Sequence, residues 1–212
     1  FDAQKAGHAG TLDPLATGVL PIALGEATKT VPYALDGLKT YRFTAVWGKA
    51  RETDDGEGRV TATSPVRPLA AVIRAALAGF TGIVEQRPPA YSAIKVAGER
   101  AYDLARAGAP PDLAPRRVTI HGLELLSCPD AEHAEFRAVT GKGVYIRSLV
   151  RDLAEALGTV GHVGALRRER VGPFGEDRAV PLANLEEIRY RAASDGASGP
   201  ADALLALLLP IE

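Results

Sequence analysis

The chain has 212 residues, 46% hydrophobic and 24% charged, the profile of an ordinary globular protein and not of a disordered or collagenous one. Its longest apolar run, Leu204–Leu209, is too short to cross a membrane, and the opening Phe-Asp-Ala-Gln-Lys lacks the basic-then-apolar pattern of a secretory leader. The net charge of −1 argues at first against a nucleic-acid partner, but Arg137–Arg170 holds seven Lys/Arg and three Asp/Glu, whereas Val171 onward holds three Arg and seven Asp/Glu. The basic segment this hides reads equally as a solvated helix face or a phosphate-binding stripe.

Residues 1–13 read as a loop, followed by a short apolar stretch at Gly18–Leu24 and a helix over Glu26–Leu35 closed by Gly37. Tyr41, Phe43, Ala45 and Trp47 alternate at strand period and predict a strand over Tyr41–Trp47. Arg51–Arg59 is acidic and contains Gly, so it reads as a hairpin tip or loop leading to a strand at Val60–Thr63. Pro68–Ala78 carries helix formers with apolar residues at helical spacing, ended by Gly79. The stretch Arg87–Arg117 is punctuated by Pro88, Pro89, Pro110, Pro111 and Pro115 and contains a short helix at Glu99–Ala107. It reads as an excursion from the core that carries Lys95, Arg100, Arg106, Arg116 and Arg117.

Strands follow at Val118–Leu126 and Ala134–Thr140. The clearest helix is Tyr145–Leu157: Ile146, Leu149, Val150, Leu153 and Leu157 share one face, Gly158 supplies the stop, and Arg147 and Arg151 stand off the stripe. A strand at His162–Arg168 and a helix at Leu182–Arg191 complete the pass. Strands and helices interleave irregularly, which predicts an α+β fold and not a regular βαβ wind.

Cys128, the single cysteine, cannot form an internal disulfide and reads as a small core filler in a reducing, cytoplasmic compartment. His8, His121, His133 and His162 are scattered without a paired-ligand spacing, so no metal is expected. No Walker loop or dinucleotide-binding glycine pattern is found, so no cofactor is expected and the chemistry should run on side chains alone. The absence of methionine and the end directly after an apolar run predict a chain cut at both ends.

The densest signal is the string Gly7-His8-Ala9-Gly10-Thr11-Leu12-Asp13-Pro14-Leu15-Ala16-Thr17-Gly18. Its glycines permit backbone shapes that other residues resist, and Pro14 turns Asp13 away from the helical region. Such a backbone can present one acid at a cleft; it can equally be a tight Asp-Pro turn with no further role. By the same standard Arg147 reads as an exposed helix arginine pairing with a neighbouring acid such as Asp152 or Glu155. Tyr41 reads as half of a cross-strand aromatic pair in the core.

The string closely resembles the catalytic motif of the bacterial tRNA pseudouridine-55 synthases, the TruB family. The likeness continues through Gly25-Glu26-Ala27-Thr28-Lys29, Lys39-Thr40-Tyr41-Arg42 and Pro89-Ala90-Tyr91-Ser92-Ala93-Ile94-Lys95. It runs on through Lys142-Gly143-Val144-Tyr145-Ile146-Arg147 to His162-Val163-Gly164-Ala165-Leu166-Arg167-Arg168. In order, it covers roughly nine-tenths of the chain.

The resemblance implies a pseudouridine-synthase-like, mainly antiparallel mixed sheet flanked by helices and loops. Residues 1–190 would form a catalytic domain lacking its N-terminal strand, with an RNA-clamping insertion at about 87–117. Residues 191–212 would be a linker and the start of a truncated C-terminal region of the PUA type. The implied activity is isomerisation of the T-loop uridine of tRNA to pseudouridine: the base is flipped out, detached from its ribose, rotated and rejoined through carbon, without metal or cofactor. Asp13 would attack the nucleotide, Arg147 would hold its charge, and Tyr41 would stack on the base. Leu166 would line the uracil pocket, with Tyr145 as a further substrate contact. His8 would fill the space left by the flipped base, and Lys5, Lys29 and Lys95 would contact the RNA. The expected partner is the T-arm of tRNA, and the expected state is a cytoplasmic monomer. Two other readings are an RNA-guided ribosomal-RNA synthase resembling dyskerin and a non-catalytic RNA-binding chaperone of tRNA folding.

Overall fold

The computed structural model describes residues 3–187. Its strands are β1 (Ala6–His8), β2 (Ala16–Gly18), β3 (Ile22–Leu24), β4 (Lys39–Trp47), β5 (Lys49–Arg51), β6 (Val60–Thr63) and β7 (Gly82–Gln86). They continue with β8 (Lys95–Val96), β9 (Glu99–Arg100), β10 (Arg116–Ser127), β11 (His133–Thr140), β12 (Gly161–Val171) and β13 (Phe174–Gly175). The α-helices are α1 (Val31–Asp36), α2 (Ala70–Ala76), α3 (Ala101–Arg106) and α4 (Ile146–Ala156). The predicted α+β class holds.

One sheet organises the molecule, in the order β13-β12-β4-β11-β10-β7, with β2 paired in parallel to β12 and the neighbours along that order antiparallel. Alternation in β4 is as predicted: Phe43, Ala45 and Trp47 are buried on one face, and Arg42 on the other pairs with Glu135 at 3.0 Å. Phe136 of β11 stacks on Phe43 with ring centroids 5.3 Å apart and meets Trp47 edge-on at 6.3 Å. The apolar stripe of α4 closes this face with Ile146, Leu149, Val150, Leu153 and Ala154, all buried. Each large aliphatic side chain buried there contributes about 1.5–3 kcal/mol. Gly158, at φ +70°, ends the helix as predicted.

Several segments differ from expectation. The predicted loop over residues 1–13 contains β1, antiparallel to β3 with Gly7 opposite Ala23. The helix expected over Glu26–Leu35 splits into a 3-10 turn at Gly25–Thr30 and α1, because Pro32 has no N–H to continue the ladder and fits only a first turn. β7 was not anticipated. Its Gly82–Gln86 backbone pairs with the start of β10, so Arg116 and Arg117 belong to the sheet and the excursion proper ends before them. Within the excursion, β8 and β9 form a hairpin whose turn residues Ala97 and Gly98 both have positive φ, as a two-residue turn of this hand requires. Cys128 is exposed and not a core filler: β10 ends at Ser127, and the cysteine sits in the link to β11. Residues 182–187 are helical as predicted, while the rest of that helix and the expected linker and PUA-like start at 191–212 lie outside the described residues.

Candidate active site

Asp13 sits in a four-residue turn: the amide of Ala16 donates to the Asp13 carbonyl at 2.8 Å, with Pro14 in the position its fixed φ favours. The two readings of the Asp-Pro string therefore coincide. The turn is real, and it is what lifts the Asp13 side chain, 29% exposed, into a cleft.

Arg147 meets it there from the first turn of α4. Its Nε donates to Asp13 Oδ2 at 2.8 Å and its Nη2 to Asp13 Oδ1 at 2.7 Å, a bidentate grip. Two further N–H groups donate to the carbonyls of Thr53 and Tyr91, both at 3.0 Å. The side chain is only 4% exposed, so the alternative of a solvated helix arginine is excluded. The start of α4 is itself anchored: Gln86, buried at the end of β7, exchanges two hydrogen bonds with the backbone of Tyr145, at 2.8 and 3.1 Å.

The acidic hairpin tip folds inward. Asp55 is 2% exposed and lies 3.8 Å from Arg147 Nε, while its other oxygen accepts from the Thr53 hydroxyl and, at 3.1 Å, from the Glu57 amide. One turn further along α4, Arg151 holds Asp54 at 2.9 Å. Asp54 occupies the left-handed region at φ +59°, and its carbonyl accepts from the Val163 amide of β12 at 3.0 Å. Burial pushes the Asp54 carboxyl upward, with Arg151 opposing.

Asp13, Arg147, Thr53, Asp55 and Tyr91 line a cavity of about 640 Å³ together with Tyr41, Tyr145, Ser92, Lys39 and Arg168. Burial raises the Tyr41 phenol above its usual range, partly offset by the charge of Arg168, and burial raises Tyr145 as well. Both phenols therefore stay neutral and can donate hydrogen bonds to a ligand in the cavity. Lys39 caps the end of α1 by donating to the carbonyls of Leu35 and Gly37, the latter at 2.7 Å. Burial depresses its ammonium, reinforced by the charge of Arg168.

Of the residues singled out in the sequence, Asp13, Tyr41, Tyr145 and Arg147 converge on this cavity. Leu166 is buried in the core cluster and borders a second, smaller space of about 320 Å³ with Leu15 and Phe43. His8 and Lys5 are exposed at and beside β1, Lys95 is exposed in β8, and Lys29 is exposed and paired with Glu26. Inspection of the sequence missed Asp55, Lys39 and Arg168 as site residues, along with the Thr53 and Tyr91 carbonyls. One signal was there to use: adjacent acids Asp54 and Asp55 match arginines four apart, Arg151 and Arg147, on one side of a helix.

Residues 1–146 match the family model described as TruB family pseudouridylate synthase, N-terminal domain. The chain belongs to that family. Residues 147–212 match a second model, the tRNA pseudouridylate synthase B C-terminal domain. Over 205 residues the chain is 61% identical to a protein of Bradyrhizobium diazoefficiens and 58% identical to one of Nitrobacter winogradskyi, each called tRNA pseudouridine synthase B. Each likeness covers 97% of this chain but only 59% and 57% of those relatives, so the chain spans less than two-thirds of their length. Among solved structures, a chain in the crystal structure of a Cbf5-Nop10-Gar1 complex superposes with a TM-score of 0.68 at 30% identity, covering 94% of this chain and 50% of that one. A chain from an H/ACA ribonucleoprotein bound to a substrate RNA containing 2′-deoxyuridine gives 0.67 at 27%, covering 94% and 49%.

Proposed function

We propose that this chain carries the catalytic centre of a tRNA pseudouridine synthase that isomerises the T-loop uridine. The observation that carries the reading is the bidentate Asp13–Arg147 pair inside the cavity, with Tyr41 and Tyr145 beside it. Changing uridine to pseudouridine breaks the bond from C1′ to N1 and makes one from C1′ to C5. No atom is added, and one proton leaves C5 while one joins N1. The step needs a charged nucleophile in a site that excludes water, and burial by itself disfavours a carboxylate's charge. A guanidinium that cannot lose its proton offsets that penalty and fixes the orientation of both oxygens.

In this reading Asp13 attacks the flipped nucleotide, and Arg147 keeps it ionised and aimed. Tyr41 stacks on the uracil, its neutral phenol at hand for the proton transfer. Tyr145 packs against the substrate, and Leu166 supports the pocket from the core. The uridine must leave its loop to enter, and His8 takes the vacated space at a stacking cost of a few kcal/mol. Lys5, Lys29 and Lys95 contact the T-arm, and the basic excursion clamps the stem by shape and charge. The protein acts as a monomer in the cytoplasm. Identities of 55–63% to relatives called tRNA pseudouridine synthase B, against 27–30% to the ribonucleoprotein subunits, favour free tRNA over an RNA-guided particle as the substrate. The clamped Asp13 favours turnover over chaperoning alone.

The test is tritium release from a T-arm transcript labelled at C5 of uracil, with Asp13→Asn in parallel. Release by the wild type and none by the variant is expected. Release that survives in Asp13→Asn, or a wild type that binds the RNA without release, overturns the reading.

A further inference from the structure

The cavity contains a second arginine that the chemistry above does not use. Arg168 of β12 is 2% exposed, among the largest fully buried side chains of the molecule. Among the described residues its guanidinium clasps no carboxylate. Nε donates to the Val19 carbonyl at 2.8 Å and Nη2 to the Gly10 carbonyl at 2.9 Å. Those two residues are the ends of the segment that carries Asp13. The backbone of Arg168 adds to the grip: its carbonyl accepts from the Val19 amide at 2.7 Å, and Arg168 pairs with Gly18 where β2 runs parallel to β12. On its other side Arg168 lies opposite Tyr41 in the β12–β4 ladder.

The glycines at the two ends are shaped to this residue. Gly18 has φ +100°, and a Cβ there would lie 2.2 Å from the Arg168 carbonyl oxygen. Gly10 has φ +99°, and a Cβ there would lie 3.3 Å from Arg168 Nη1. Burying a guanidinium carries a heavy desolvation cost, which backbone carbonyls offset only when the geometry is good. A planar fork with donors on separate nitrogens reaches two carbonyls at once, whereas an ammonium is a single point. The cation is thus held where it can close one particular loop.

We infer that Arg168 is a positioning residue, the buckle that draws together Gly10 and Val19 so that the turn between them presents Asp13 to Arg147. Asp13 is then fixed twice, at its carboxylate from α4 and at the base of its loop from β12. This inference rests on the proposed synthase reading for its kinetic consequence and on geometry alone for its structural one.

The experiment compares the wild-type chain with Arg168→Lys and Arg168→Ala, measuring single-turnover rate, RNA affinity and amide hydrogen exchange. In Arg168→Lys the rate falls about 100-fold, the scale for a reacting group displaced by about an ångström. RNA affinity stays within about threefold, because a side chain this buried contributes little to the phosphate contacts that dominate binding. Exchange quickens in residues 10–19 but not in β10 and β11. Added ethylguanidinium, small enough for the adjoining cavity, restores part of the rate of Arg168→Ala. A wild-type rate in Arg168→Lys, unchanged exchange in residues 10–19, or exchange that rises equally across the sheet overturns the inference. A wild type without turnover overturns the synthase reading instead, and the exchange data then decide the role of Arg168 by themselves.

Discussion

Asp13 and Arg147 are 134 positions apart in the chain and joined by two hydrogen bonds, of 2.7 and 2.8 Å. The remaining donors of Arg147 fasten the hairpin tip through Thr53 and the excursion through Tyr91. One guanidinium thus ties α4, the hairpin tip and the excursion to Asp13. Arg147→Lys keeps the charge but loses the fork, and should lower turnover by about 100-fold or more. Arg147→Ala should abolish turnover. RNA binding should hold within about threefold for both, measured by filter retention, since the side chain is buried away from phosphate contacts.

Asp55 stands behind this pair and supplies a second carboxylate to the same guanidinium. Asp55→Asn keeps an acceptor for the Glu57 amide but removes the charge. Turnover should fall roughly 10- to 100-fold, with RNA affinity unchanged. The double variant with Arg147→Lys should lose less than the product of the two single losses, because both act on one network. A double loss equal to that product would show that Asp55 acts elsewhere.

His162 gives the fold a pH dependence. The ring is 4% exposed, and its Nδ1 lies 2.8 Å from the Lys49 carbonyl, so it serves there as donor. Burial lowers its pKa below 6.5; the Lys49 carbonyl opposes this and the charge of Arg51 reinforces it, while Asp55 faces it too. With the folded value depressed, the unfolded chain takes up the proton first. The neutral ring's contribution is complete above about pH 6.5 and drains away as pH falls toward the folded value, at up to ~1.4 kcal/mol per pH unit. Thermal melts between pH 7.5 and 5 should show a steeper decline for the wild type than for His162→Gln. Equal slopes would mean that other groups carry the acid sensitivity.

Gly18 tests the seam between β2 and β12. Gly18→Ala forces a Cβ against the Arg168 carbonyl at a φ that only glycine adopts readily. The backbone strain alone is on the order of 1–3 kcal/mol. A melting temperature lowered by several degrees is expected, with a loss of turnover that exceeds the loss of RNA binding. Gly25→Ala serves as a comparison, since φ is also positive there (+56°) but a Cβ would meet nothing within 4 Å among the described residues. Equal melting temperatures for the two variants would show that the contact with Arg168 has no cost beyond the backbone angle.

Much of this molecule could be read along the chain. The alternation from Tyr41 to Trp47, the stripe from Ile146 to Leu153 and the stop at Gly158 each follow from local periodicity and backbone preference, which need no distant partner. The Asp13-Pro14 turn was legible for the same reason, and the family string around it singled out the acid that Arg147 clasps in the cavity. Arg147 was legible only through the family resemblance at Lys142–Arg147, because its place off the apolar stripe of α4 suits a solvated arginine just as well.

What the order of residues determined, then, was the phase of the longer elements and which acid the Asp-Pro turn presents. Tertiary structure decided which polar groups end up under others. Asp55 reads as part of an exposed acidic tip until the hairpin folds back onto Val163 and buries it, and Arg168 reads as one more strand arginine until β2 crosses beside it. Periodicity reports which way a side chain points from its own segment, whereas the partner that neutralises or hydrogen-bonds it comes from another segment altogether. For buried charges that partner decides the chemistry.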